Sequence, residues 1–271
     1  RDQPRSRGLG DVYKRQALML RTRTPHVVTE AIKKSKVISR DGDIYNVLIH
    51  WGLREAQALS QLKVQNVPSP NNRDYQWSGK LTPFKHQEIT SSFLTLNKKA
   101  FCFNEQGTGK TASVIWAADY LMKRGDIKRV LVLCPLSIMK SAWQEDLFKF
   151  AMHRSCSVAH GTAERRKKIL AAGSEFVIIN FDGLRVIKEE VLAGGFDLIV
   201  VDEANAYKNV QTNRWKILRD IVAKTPWLWM LTGTPAAQSP VDAFGLAKLV
   251  NPTNIPNYFC LLYTSDAADE G

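Results

Sequence analysis

Cysteine is scarce in this chain, four in 271 residues, and the four positions (102, 134, 156 and 260) show no C-x-x-C spacing. Cys102 and Cys134 lie inside strand-like apolar runs, so neither a disulfide framework nor a zinc site is expected. The five histidines form no ligand pattern. No apolar run approaches the roughly 20 residues that cross a bilayer, and no secretory leader is visible. A soluble, cytoplasmic protein is the expectation. Internal repeats and low-complexity tracts are absent, which argues against a solenoid or a disordered chain. Acidic residues are the minority charge, 26 against 38 basic, for a net +12. Such a surplus fits a polyanionic partner, because basic side chains that neutralise phosphates release counterions; a merely solvated basic surface fits equally well. The 44% hydrophobic content is enough to bury a core.

The two ends have a different origin from the middle. Asp11-Val-Tyr-Lys-Arg-Gln16 back-translates to a DNA element whose opposite strand encodes Cys260-Leu-Leu-Tyr-Thr-Ser265. Both flanks resemble translated sequencing adapters, so residues 1–16 and 260–271 are set aside as adapter-like. The net charge without them is still +12. Residues 17–72 read as an N-terminal appendage and linker, with a strand at 43–51, a short helix at 53–62 and a linker at 68–72.

From residue 99 to 251 short β-branched apolar runs alternate with helix-like stretches, the pattern of a parallel sheet covered on both faces. Five runs read as buried strands: 100–103, 130–134, 176–181, 198–201 and 227–231. Between them, Thr111 to Lys123 has a helical apolar face, and Trp143, Leu147 and Phe150 repeat at helical spacing. Ser141 with Gln144, and Ser239-Pro240 with Asp242, look like capped helix starts. Trp227 and Trp229 read as packing residues.

Three segments carry chemistry. Asn104-Glu-Gln-Gly-Thr-Gly-Lys-Thr111 sits where a strand gives way to a helix. Gly107 and Gly109 let backbone N–H groups curl toward a phosphate at a helix N-terminus. Lys110 would reach the β- and γ-phosphates and Thr111 would ligate Mg²⁺; Gln106 and Thr108 complete the turn. Asn104 replaces the usual first glycine, so this is a variant P-loop. Phe196-Asp-Leu-Ile-Val-Val-Asp-Glu203 delivers two carboxylates at a strand's C-terminal end, where ligands bind in such sheets. Asp202 would hold Mg²⁺ and Glu203 would polarise the attacking water. Leu231-Thr-Gly-Thr-Pro235 ends a third strand. Thr232, Gly233 and Thr234 either couple the acidic pair to the γ-phosphate or form a plain strand-ending turn.

In this order the three segments resemble motifs I, II and III of superfamily-two helicases, and finer features resemble the Swi/Snf family of double-stranded-DNA translocases. Leu133-Cys-Pro-Leu-Ser137 followed by Trp143 is similar to motif Ia, and Ile179-Asn-Phe-Asp-Gly-Leu184 to motif Ib. Asp202-Glu-Ala-Asn205 has Lys208-Asn209 behind it, and Asn205 departs from the family's usual histidine. The segment after Thr234 is most similar to phage-encoded members. The resemblance implies a RecA-like, doubly wound α/β fold (a P-loop NTPase lobe) over residues 73–259 with a small α+β appendage.

It implies ATP and Mg²⁺ as cofactors, duplex DNA as partner and a second RecA-like lobe, absent here, that supplies arginine fingers. Thr82-Pro-Phe-Lys-His-Gln87 resembles the adenine-recognition motif, with Gln87 as the reader; Phe84 either packs on the base or is an exposed helix start. Backbone contacts to nucleic acid are implied at Pro135, Ser137, Asn180 and Gly183. Arg165-Arg-Lys-Lys168 could touch phosphates, though a solvated helix face is the simpler reading. Other readings are an RNA helicase, a restriction-enzyme motor subunit, or a DNA-binding scaffold that does not hydrolyse ATP.

Overall fold

The computed structural model describes residues 16–77, 81–103, 107–233 and 242–253. The adapter-like ends, apart from Gln16, and the expected helix start at Ser239-Pro240 lie outside them. The chain divides into two compact units, one of residues up to Tyr75 with Thr95–Asn97, the other of Gln76–Leu94 with Lys98 onward.

The first unit holds β1 (Ala17–Thr22), α1 (Pro25–Ala31), β2 (Ser35–Asp41), β3 (Ile44–His50), α2 (Leu53–Gln61) and α3 (Asn71–Asp74). Its three strands pair antiparallel in the order β1-β3-β2. Asp41 faces Ile44 across a two-residue Gly-Asp loop, where Gly42 takes φ 58°, the left-handed backbone that tight hairpins require. Val28, Ile32, Val47, Ile49 and Leu59 form a small core. The segment read as a linker is packed here: Ser69 and Asn71 are fully buried, and the Ser69 and Thr95 hydroxyls bond at 2.7 Å.

The second unit carries α4 (Lys85–Leu96, whose last two residues fall in the first unit), β4 (Lys99–Cys102), α5 (Lys110–Lys123), β5 (Val130–Cys134) and α6 (Glu145–Phe150). There follow β6 (Cys156–Ala159), α7 (Ala163–Ala171), β7 (Phe176–Asn180), α8 (Phe181–Val186), α9 (Lys188–Ala193), β8 (Leu198–Val201), α10 (Asn213–Val222), β9 (Trp227–Leu231) and α11 (Asp242–Val250). Six strands form one sheet in the order β4-β9-β8-β5-β7-β6, parallel at every pairing. This is the parallel sheet that the alternating pattern implied, in the doubly wound α/β class expected from the resemblance.

Every residue of β5, β8 and β9 is buried, as a sheet covered on both faces demands. Alternate residues divide between the faces. Leu131, Val177, Ile199 and Leu228 join a core with Leu170, Leu184, Val191, Trp215 and Leu218 from α7 to α10. The intervening Val132, Ile178, Val200 and Trp229 are equally buried, and α5 buries eleven residues. Trp116 of α5 meets Phe150 edge-on at 5.0 Å.

Three local expectations change. β6 is a sixth strand, short and half-polar, at the sheet edge. Phe181 opens α8 rather than closing β7. Ser141 caps nothing: it lies inside a π-helical turn, Met139–Gln144, and its hydroxyl donates to the Ser137 carbonyl at 3.2 Å.

At the N-terminal edge of β6 and β7, Glu175 accepts from the Ser155 N–H at 2.9 Å and from Arg154 at 2.6 Å, while Arg154 also binds Asp119 of α5 at 2.7 Å. Burial alone would raise the Glu175 pKa; the Ser155 N–H and the Arg154 guanidinium override it and hold the carboxyl below its ordinary 4.5. A depressed carboxylate stabilises the fold above its unfolded pKa, and that stabilisation is lost as pH falls through the folded value. In urea denaturation, Glu175→Gln should therefore be less stable than wild type at pH 7, with the gap closing below about pH 4. A gap unchanged by pH would contradict the assignment.

Candidate active site

Parallel pairing brings the C-terminal ends of all six strands to one edge, and the loops there appear in sheet order. The glycine turn follows β4, Thr232 follows β9, Asp202 and Glu203 follow β8, Pro135 to Ser137 follow β5, and Asn180 to Gly183 follow β7. Residues more than 100 apart in sequence thus become neighbours. The Thr232 N–H donates to the Cys102 carbonyl at 3.2 Å, and the Asp202 N–H to the Leu133 carbonyl at 2.8 Å.

The turn after β4 has the backbone that a phosphate cradle needs. Gly107 and Gly109 take φ 79° and 72°, and α5 starts at Lys110, with Thr111 half-buried behind it. The φ at Gly109 demands glycine, and a Cβ there would also stand 2.1 Å from Gln87 Nε2 and displace that side chain's end. Gln87 is buried; its Nε2 donates to the Thr108 carbonyl at 3.4 Å and its Oε1 accepts from the Phe84 N–H at 2.9 Å. Among the described residues, each end of that amide keeps one further hydrogen-bonding position. Phe84 is 68% exposed and stacks on His86 at 5.7 Å. Gln106 and Thr234 lie outside the described residues.

Asp202 is the electrostatic centre. Its Oδ2 accepts from the Trp143 indole N–H at 2.9 Å and its Oδ1 from the Glu203 N–H at 2.9 Å. Burial pushes its pKa up; the Trp143 and Glu203 bonds and the Lys110 charge oppose it. Lys110 is therefore within electrostatic reach of Asp202. Glu203 sits at φ 52°, ψ 53°, a left-handed conformation that a non-glycine residue adopts at a cost of about 1–3 kcal/mol and that clusters at working sites. Thr232 is buried and Gly233 half-buried beside it; Asn205 lies half-buried in the 3₁₀ turn Ala204–Tyr207. Among the described residues no group of three or more His, Cys, Asp or Glu is placed to hold a metal unaided.

On the remaining loops, Pro135 is half-buried and Ser137 exposed at a 3₁₀ turn. Arg166, which reads as part of a solvated basic face, is only 7% exposed. Its guanidinium donates to the carbonyls of Ala159 (2.6 Å) and Gly161 (2.9 Å) and to Asn180 Oδ1 (3.0 Å), and a Cβ at Gly183 would strike it. It is a strut under the junction of β7 and α8, from Asn180 to Gly183. Arg165 and Lys168 are exposed, and Lys167 pairs with Glu190 at 2.8 Å. No spacing rule distinguishes Arg166 from its neighbours, because its role depends on the end of β6. A cleft of about 370 Å³ opens beside this junction between Phe181, Arg185, Ala206 and Arg214, but Arg214 is bonded to Asp182 at 2.7 Å across it.

Residues 82–259 match the sequence profile of the SNF2-related domain. The chain is 29% identical over 179 residues to the ATP-dependent helicase YqhH of Bacillus subtilis, covering 64% of this chain and 30% of that protein. It is 28% identical over 181 residues to protein p41 of Acyrthosiphon pisum secondary endosymbiont phage 1, covering 63% and 39%. Among solved structures, the Sulfolobus solfataricus SWI2/SNF2 ATPase core in complex with dsDNA superposes with a TM-score of 0.60 at 27% identity, over 68% of this chain and 38% of that one. The chain thus spans less than two fifths of each of these relatives.

Replacing Arg166 with alanine leaves two carbonyls and the Asn180 amide oxygen without their donor. Chemical denaturation should register a loss of about 2 kcal/mol or more. A loss below about 0.5 kcal/mol, the range of ordinary surface substitutions, would mean that Arg166 is a solvated side chain after all.

Proposed function

Because this chain belongs to the SNF2-related domain family, we propose that it is the ATP-binding lobe of a DNA-dependent ATPase that moves on duplex DNA once a second RecA-like lobe closes over it. The observation that carries this reading is the meeting at one sheet edge of the glycine turn, Lys110 and the Asp202-Glu203 pair, with Lys110 acting electrostatically on Asp202.

The donor set suits a magnesium triphosphate. Gly107, Thr108, Gly109 and the start of α5 offer backbone N–H groups and the positive end of a helix to phosphate oxygens. Lys110 neutralises charge on the β- and γ-phosphates, and Gln87 reads the adenine edge with its remaining donor and acceptor positions. Thr111 and Asp202 are the hard oxygen donors that Mg²⁺ prefers. Thr111 and Asp202 would hold that metal, which would supply positive charge to screen the phosphates. Glu203, held in its left-handed turn, orients and polarises the attacking water. Thr232 and Gly233 lie between the glycine turn and the acidic pair in sheet order, where, with Thr234 next in sequence, they can relay the state of the γ-phosphate.

The loops farther along the edge supply the DNA contacts. Pro135, Ser137, Asn180 and Gly183 offer backbone and small polar groups to phosphates, contacts that position without reading sequence. The surplus of basic residues favours the same partner. With the arginine fingers coming from a second lobe, this lobe by itself should bind nucleotide and turn it over slowly.

Titration with a fluorescent ADP should show binding to the wild-type chain and a loss of at least tenfold in affinity for Lys110→Ala; equal affinity would reject the site. In the protein with both lobes, Glu203→Gln should keep nucleotide binding and lower duplex-stimulated turnover by about 10² or more. Undiminished turnover would remove Glu203 from the chemistry.

A further inference from the structure

Trp143 is fully buried and its indole N–H, which can only donate, ends on the Asp202 carboxylate at 2.9 Å. The residue comes from the π-helical turn Met139–Gln144, which comes directly after the 3₁₀ turn holding Ser137. A π turn adds a residue to the helical register and rotates the next turn of helix by roughly 100°. Trp143 lies within that turn, whose backbone sets the direction of its side chain toward Asp202. The turn is also tied to the preceding loop, since the Ser141 hydroxyl donates to the Ser137 carbonyl at 3.2 Å. Ser137, Ser141, Trp143 and Asp202 therefore form one connected path of side chains and a single stretch of backbone.

We propose that Trp143 is a positioning residue that couples the DNA-contacting loop at Pro135 to Ser137 to the metal-side carboxylate Asp202. The inference rests on the reading of those two elements given above. Asp202 has two oxygens; Trp143 fixes one and the Glu203 N–H the other, which sets the lone pairs left for a metal. A phosphate pulling on the Ser137 loop shifts the π turn, the indole moves with it, and the carboxylate turns. The path runs through one short segment of chain and needs no motion of the sheet. It complements the segment around Thr232, which approaches the acidic pair from the other neighbouring strand.

The test uses the chain with ¹⁵N-labelled tryptophan, which gives seven indole resonances, one for each tryptophan. Trp143 is assigned by the signal missing from Trp143→Phe, a substitution that keeps an aromatic ring and removes the donor. Duplex DNA is added without nucleotide, and its binding is followed separately by the anisotropy of a labelled duplex. ADP binding is followed in both proteins as Mg²⁺ is varied. The Trp143 indole signal should shift on adding duplex, and Trp143→Phe should need roughly tenfold more Mg²⁺ for half-maximal enhancement of ADP binding, with Mg²⁺-free ADP affinity unchanged. If duplex and ADP both bind but the indole signal stays fixed, or the variant keeps the wild-type Mg²⁺ dependence, the coupling is overturned while the functional reading stands. If neither duplex nor ADP binds, the functional reading falls and this inference with it.

Discussion

A buried carboxylate at the end of a buried strand is the constraint around which this site is arranged. Removing Asp202 from water costs several kcal/mol unless its oxygens are met by donors or positive charge. The chain meets them three ways: an indole N–H from Trp143, the backbone N–H of Glu203, and the charge of Lys110. The first comes from the π turn after β5, the second from the residue in the left-handed turn, and the third from the first residue of α5. A water-exposed carboxylate would need none of these, and the loops around it would be free to drift.

The parallel sheet makes that arrangement possible. With β9 between β4 and β8, the glycine turn and the acidic pair are separated by one strand width on either side of Thr232. The interleaved order gathers chemistry from five distant stretches of sequence onto one edge. The opposite edge carries structural charge pairs instead, such as Arg154 with Asp119 and Glu175. Those pairs hold the sheet's base without competing for the ligand edge.

Much of this was legible in the sequence because buried parallel strands leave little choice of residue. The strands at 130–134, 198–201 and 227–231 have the expected bounds, since each is an unbroken apolar run closed by a polar or turn residue. β6 escaped notice because Cys156-Ser-Val-Ala is short and half-polar, as an edge strand can be, β1 because none of its residues is fully buried, and β2 because nearly all of its residues are exposed. The positions of Gly107, Gly109, Lys110, Asp202 and Glu203 at one edge follow from motif and topology together. Trp143 and Arg166 could be counted as an apolar repeat and a basic run, but the Trp143 indole N–H reaches a partner 59 positions away, and the Arg166 guanidinium gathers three acceptors at 5, 7 and 14 positions, which no spacing rule assembles. Ser141 shows the opposite failure: a capping pattern is present, yet the local backbone is π-helical and the hydroxyl turns back to Ser137.

The central claim is geometric, that the turn at Lys110 and the carboxylate at Asp202 serve the same metal-bound triphosphate. Crystals of the chain grown with a non-hydrolysable ATP analogue and Mn²⁺ in place of Mg²⁺, with data collected at the manganese absorption edge, locate the metal directly. The account expects one anomalous peak between the Thr111 hydroxyl and Asp202, with the triphosphate on the 107–111 turn. A peak distant from Asp202, or a triphosphate bound away from Lys110, would contradict it.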